Sequence, residues 1–293
     1  MKLKEKKILK AKLQNDIYLA VNTGSFYPKN TLESILLLQD LDISNIELTL
    51  QSDEFSISYS RELYMPNFRE LREIVDGGSL NICSIHAPLM TAEHGYSTII
   101  RGEYLKQCII KCNSLGAKLL VVHPFHMFTS YENALAYLRG EIDDVWKVLL
   151  PNMRVLINQA YKLNVMITLE NLQNWEDDDL GFFNNPKNMR LLFADMGHSG
   201  ITSTLDIIHA HMNGSLTGFV RSLADKIVNV HVADYLLPMS RVSPGKGIIN
   251  WDAVMPLIKR LPNLHQVTIE LTRAEPIEVK NAIEFLKNLW NQY

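Results

Sequence analysis

Cysteine is scarce and odd in number: Cys83, Cys108 and Cys112 are all the chain has, and each lies in an apolar pattern. A disulfide framework of the kind that staples small secreted domains is thereby excluded. Long apolar runs are lacking too. No stretch reaches the ~18 uninterrupted apolar residues of a membrane helix. The lysines at Lys2, Lys4, Lys6, Lys7 and Lys10 are followed by neither the apolar core nor the small-residue cleavage site of a secretory signal. An excess of one charge is also missing, since Lys and Arg number 29 against 32 Asp and Glu, a formal net charge of -3. So balanced a chain has no global attraction for phosphate backbones. Nucleic acid and membrane are therefore not expected partners, and the cytoplasm is the expected address.

What is present is apolar substance for one large core: 47% of the residues are hydrophobic and 21% charged, which excludes a disordered chain. A length of 293 residues suits an α/β barrel, which typically needs about 250. Runs rich in Val, Ile, Leu and Thr predict strands at Ile17–Thr23, Asn45–Leu50, Asn81–Ala87, Lys118–Pro124, Val165–Asn171, Thr202–Ile207, Ile227–Ala233 and Gln266–Leu271. Helically spaced segments separate them, the alternation of a parallel sheet wrapped by helices. Eight such strands predict a closed (β/α)8 TIM barrel, with residues 1–293 as a single domain and residues 1–16 as a solvated basic N-terminal leader. Ile100, Tyr104, Cys108, Cys112 and Leu115 share one helix face ending at Gly116, which makes both cysteines core residues rather than a metal pair. Pro151 should kink or divide the helix around it. The last helix, Pro276 to Asn291, should pack through Ile277, Ile283, Leu286 and Trp290.

The predicted strands share a peculiarity at their carboxyl ends: His86, His123, Glu170, Asp206, His231 and Glu270 stand there one after another. In a parallel barrel those ends face one rim, where residues distant in sequence converge. A carboxylate in a pattern such as Val-Met-Ile-Thr-Leu-Glu170 or Val-Thr-Ile-Glu270 is costly to bury unless it pairs or coordinates. Taken singly, each is better explained by a salt bridge or a solvated strand end. Together, Glu170, Asp206, His231 and Glu270 offer three oxygen donors and one imidazole, a set that suits one divalent cation, Mn²⁺ foremost, with Co²⁺, Mg²⁺ and Zn²⁺ as alternatives. His86 and His123, each followed closely by proline, are expected in the same site, as substrate contacts, ligands of a second metal or orienting groups. His209 lies three residues beyond Asp206, within reach of the pocket. Asp195 and His198 repeat that spacing but precede their strand, so they belong at its opposite end. Tyr96, Trp175, Tyr235 and Trp251 are candidates for an aromatic wall or for ordinary packing, and Lys246 for a phosphate contact or a loop lysine.

In order along the chain, these motifs resemble the xylose isomerase-like barrel superfamily of sugar isomerases and epimerases, which also holds the endonuclease IV-type apurinic-site nucleases. The resemblance is carried by Leu205-Asp206-Ile-Ile-His209, Asn229-Val-His231-Val-Ala-Asp234 and Ser243-Pro-Gly245-Lys-Gly247-Ile-Ile-Asn-Trp251, with His-Ala-Pro at His86, His-Pro at His123 and Leu-Glu-Asn at Glu170. It implies that Glu170, Asp206, His231 and Glu270 are metal ligands, that Glu170 and Glu270 are also an acid/base pair, and that His209 and Arg241 contact substrate. The implied reaction is isomerisation or epimerisation of a small sugar, sugar phosphate or polyol by proton abstraction α to a carbonyl, through an enediolate. A dehydratase on a cyclic polyol ketone or related acid shares the first step. The nuclease reading is weakened because Met239-Ser-Arg241-Val-Ser-Pro244 stands where those enzymes carry Asp-x-His, and because Glu176 to Asp179 make the rim acidic. A non-catalytic sugar-binding barrel is the remaining alternative, and family resemblance also suggests a homo-oligomer.

Overall fold

The computed structural model describes residues 12–14, 17–50, 56–57, 63–64, 68–87, 98–123, 145–173, 184–197, 200–237 and 240–293. Eight strands, β1 (Ile17–Asn22), β2 (Asn45–Thr49), β3 (Asn81–His86), β4 (Leu119–Val122), β5 (Met166–Glu170), β6 (Ile201–Asp206), β7 (Ile227–Val232) and β8 (Gln266–Ile269), match the expected eight. Each pairs in parallel with its sequence neighbours, and β8 pairs with β1, which closes the barrel. Strands buried on both faces need continuous apolar runs rather than alternation, and Leu119–Val122 is buried at every position. Lys12–Gln14, expected in the solvated leader, instead pairs antiparallel with β1. The remainder of the leader, residues 1–11 and 15–16, lies outside the described residues.

Helices follow the strands and carry the outer layer of the core. Cys108 and Cys112 are fully buried in helix Thr98–Ser114, where desolvation pushes the Cys108 thiol up to about 12 and raises that of Cys112 as well. Both are packing residues. Helix Val145–Lys162 runs without division through Pro151, so the forgone backbone hydrogen bond does not end it. In helix Pro276–Gln292 the buried face is Val279, Ala282, Leu286, Leu289 and Trp290, while Ile277 is exposed in the first turn. The three-and-four spacing from Val279 onward sets that face, and Ile277 falls off it. Among the described residues no helix is long and apolar enough to cross a membrane.

One irregular segment matters for the site. After β7 the chain forms a hairpin, Asp234–Leu236 against Ser240–Val242, in which Tyr235 opposes Arg241. Buried Asp234 anchors it: its carboxylate accepts from the backbone N–H of Tyr235 (2.9 Å), Ile249 (3.0 Å) and Gly245 (3.1 Å) and from Trp251 Nε1 (2.8 Å). Four donors satisfy a charge that burial would otherwise penalise heavily. Trp251 thus opens helix Trp251–Lys259 as a buried anchor and not as a sugar platform. Tyr235 is also buried, its hydroxyl 3.1 Å from His211 Nδ1. Tyr96 and Trp175 lie outside the described residues.

Candidate functional site

Parallel register brings the strand ends level: His231 is opposite Asp206 and Thr268, and Glu170 is opposite Thr204. Glu270 follows β8 directly. One ligand atom from each of Glu170, Asp206, His231 and Glu270 lies within 4.8 Å of all the others. A second grouping, His86, His123 and Glu170, shares the Glu170 carboxylate. All eight residues expected at the site converge there.

Glu170 is the hub. Its Oε2 lies 3.1 Å from His86 Nε2, 3.3 Å from His123 Nε2 and 3.5 Å from His231 Nδ1, and its Oε1 lies 3.5 Å from His209 Nδ1. Asp206 has two tasks. Its Oδ1 caps helix Ile207–Met212 by accepting from His209 N–H at 2.7 Å, and its Oδ2 accepts from Arg241 Nη2 at 3.0 Å. Arg241 reaches in from the hairpin and also donates through Nη1 to Glu270 Oε2 at 2.8 Å. His209 Nδ1–H donates to Asn171 O at 2.9 Å, leaving Nε2 to accept from Arg241 Nη2 at 3.2 Å. Glu270 and Arg241 keep 20% and 21% of their side chains exposed, against 1% for Glu170 and Asp206, so among these residues the Glu270–Arg241 side is the one open to solvent.

Electrostatics tie the cluster together. Burial alone would raise the Glu170 carboxyl, but the charge of His231 and the hydrogen bond from His123 hold it well below the usual carboxylate range. Burial likewise opposes ionisation of Glu270, and His231 and Arg241 override it, so its pKa is depressed. Burial disfavours charge on His231, yet Glu47, Glu270 and Glu170 push its pKa well up. For His86, burial is outweighed by the hydrogen bond and charge of Glu170, which bring it up to about 9. For His123 burial prevails and lowers its pKa. The carboxylates Glu47, Glu170 and Glu270 thus draw protons onto His86 and His231, while Arg241 pairs with Asp206 and Glu270, so among the described residues the pocket carries more carboxylate than fixed positive charge.

The donor set fits a divalent cation on this ground and on a second. Neither ring nitrogen of buried His231 has a well-directed hydrogen bond among the described residues. Its Nδ1 sits 3.3 Å from Glu270 Oε2 and 3.5 Å from Glu170 Oε2, facing the carboxylates with which it would share an ion.

Three residues absent from the sequence expectations support the site. Glu47 on β2 is fully buried and lies 3.0 Å from His231 Nε2; burial would raise its pKa, but the His231 charge lowers it. The carboxylate in Asn45-Ile-Glu47-Leu-Thr49 is flanked by apolar residues but lies inside its strand, whereas Glu170 ends one. Asn22 at the end of β1 donates to Glu47 Oε1 at 2.9 Å and reaches Glu270 Oε1 at 3.5 Å. Asn171 exchanges hydrogen bonds with the Asp206 backbone, accepting from N–H at 2.8 Å and donating to its carbonyl at 3.1 Å, which fixes Asp206 beside Glu170. Asp195 closes the helix before β6, at the opposite rim, as expected. Lys246 is exposed on its turn. His126, His198 and the Glu176–Asp179 loop lie outside the described residues.

A family model described as xylose isomerase-like TIM barrel matches residues 35–289. Among solved structures, a D-tagatose 3-epimerase-like protein superposes with a TM-score of 0.70 at 18% identity, covering 93% of this chain and 97% of that one. The IOLI protein with a binding zinc atom gives 0.67 at 18% identity, covering 94% and 98%. The probable 3-DHS dehydratase AsbF from Bacillus anthracis gives 0.63 at 16% identity, covering 93% and 99%. Identities this low establish a shared fold. No curated protein sequence matches the chain.

Proposed function

We propose, from the premise that this chain belongs to the xylose isomerase-like TIM barrel family, that it is a divalent-metal-dependent isomerase or epimerase of a small sugar, sugar phosphate or polyol carbonyl compound. The observation that carries this reading is the convergence of Glu170, Asp206, His231 and Glu270 around one point, with the unbonded His231 Nδ1 directed into it. These four residues would hold the ion, Mn²⁺ foremost. When bound, the ion supplies a Lewis acid that polarises the substrate carbonyl. One of Glu170 and Glu270, ionised, removes the proton α to the carbonyl, and the other, carrying a proton taken up from solvent, returns it to the opposite face for epimerisation or to the neighbouring carbon for isomerisation. Arg241 keeps the Glu270 and Asp206 carboxylates oriented and offers a guanidinium at the open side for a substrate oxygen. His86, His123 and His209 line the approach to Glu170 and supply donors for hydroxyl groups.

The test is deuterium wash-in: a panel of ketoses and their phosphates, incubated in D2O with Mn²⁺-loaded protein, should yield one substrate deuterated at the carbon next to its carbonyl. No exchange with any member would overturn the reading. A product that has lost water after the same exchange would identify a dehydratase, which shares the abstraction step. The His86, His123 and Glu170 grouping favours a second reading, a hydrolytic site with more than one metal, and cleavage of abasic DNA would show it.

Arg241→Ala should leave the fold intact and lower kcat/KM by roughly ten- to a hundredfold, the equivalent of losing a charged hydrogen bond of ~1.5–3 kcal/mol. Steady-state kinetics on the substrate found in the panel checks this, and an unchanged kcat/KM would remove Arg241 from substrate recognition.

A further inference from the structure

Beneath the four candidate ligands lies a second polar layer that sugar chemistry does not require. Glu47 is its centre, with no exposure to solvent. Its Oε2 accepts from Ser84 Oγ at 2.7 Å, Asn229 Nδ2 at 3.1 Å and Gln266 Nε2 at 3.3 Å, and its Oε1 accepts from Asn22 Nδ2 at 2.9 Å. Gln266 is braced in turn by Thr268 Oγ1, which donates to Asn229 Oδ1 at 3.0 Å. These donors come from β1, β3, β7 and β8, so the carboxylate is clamped from both sides of the barrel. Its remaining reach is toward His231, whose Nε2 is 3.0 Å from Oε1.

A buried carboxylate held this firmly is costly in a barrel that apolar side chains would fill equally well. An imidazole that ligates through one nitrogen carries its proton on the other, and a carboxylate facing that second nitrogen selects the tautomer and fixes the ring. From this geometry we propose that Glu47 is the positioning residue for His231: its negative charge, 3.0 Å from Nε2, favours the ring proton on that nitrogen and presents Nδ1 as the ligand atom. The inference rests on the metal-binding reading above and adds which nitrogen binds and what enforces it. Asn22 extends the same control to Glu270 by touching both carboxylates.

Glu47→Gln keeps the shape of the side chain and removes its charge. It should weaken Mn²⁺ and Zn²⁺ binding by about 10- to 100-fold in calorimetric titration. Ser84→Ala disturbs the clamp without removing the carboxylate and should weaken binding less than about tenfold. The spectroscopic readout is the ¹⁵N–¹H correlation of the imidazoles in Zn²⁺-loaded wild-type protein, with His231 assigned by its loss in His231→Gln. A proton on Nε2 and metal on Nδ1 supports the proposal even if Glu47→Gln fails to fold. Metal on Nε2 overturns it, as does a folded Glu47→Gln protein that binds with wild-type affinity and tautomer. In either of those cases the metal reading stands. Wild-type protein that binds no divalent ion overturns both.

Discussion

Glu270→Gln should retain the fold and lose turnover by about 10²–10⁴-fold, the usual contribution of a positioned acid or base. The amide is nearly isosteric with the carboxylate, which accepts from Arg241 at 2.8 Å and from Asn22 at 3.5 Å, so the scaffold around it changes little. What disappears is the base. Glu270 is ionised because His231 and Arg241 outweigh its burial, and at 20% exposure it is the carboxylate that faces the entry side. Glu170, 1% exposed beneath it, would serve the other face. Two glutamates on two faces make a finer prediction. In D2O the Glu270→Gln protein should still exchange the proton of one epimer and should no longer convert it into the other. Full turnover in that variant would rule out the two-glutamate scheme.

Gly247→Ala should be among the most damaging substitutions of a single methyl group in the molecule, costing about 3 kcal/mol or more. A Cβ there would collide with the Asp234 carboxylate and with the Tyr235 carbonyl oxygen, neither of which can move freely. Asp234 is tied to four donors, and Tyr235 belongs to the hairpin that carries Arg241. Relief of the clash displaces that hairpin, so substrate affinity should fall together with stability. Gly214→Ala is the control. Gly214 has a φ of 62°, and an added methyl there would meet nothing within 4 Å, so only the left-handed backbone is penalised, by roughly 1 kcal/mol. Thermal denaturation should show a melting temperature lower by roughly 6–12 °C for Gly247→Ala, at ~2–4 °C per kcal/mol. Equal melting temperatures for the two variants would mean that the Asp234 cradle does not hold the hairpin.

Much of this architecture is legible in the sequence because a parallel barrel repeats one instruction: an apolar run, a polar residue at its end, then a helical period. All eight strands follow from that, and so does the placement of Glu170, Asp206 and His231 on one rim. Glu47 stands in the middle of Asn45-Ile-Glu47-Leu-Thr49 rather than at its end, so a pattern that looks for strand-end carboxylates passes over it. Its partners Asn22, Ser84, Asn229 and Gln266 come from distant parts of the chain, with separations of 182 residues to Asn229 and 219 to Gln266. Local patterns cannot announce a network of that reach. Arg241 is a different case. Only family resemblance points to it, because a short hairpin with an arginine has no periodicity; its meaning appears when β7, the Asp234 cradle and β8 bring it against Asp206 and Glu270. Ile277 marks the limit of apolar content as a guide. The residue is apolar but sits in a first helical turn, off the face that Val279, Ala282 and Leu286 define.

Glu170, Asp206, His231 and Glu270 are proposed to hold one divalent ion together. Elemental mass spectrometry tests it most directly, on protein purified without chelators or affinity-column metal and then reconstituted with Mn²⁺. About one tightly held ion per chain, lost in both Glu170→Ala and His231→Ala proteins that remain folded, is the predicted result. No retained ion after reconstitution, or undiminished retention in His231→Ala, would contradict it.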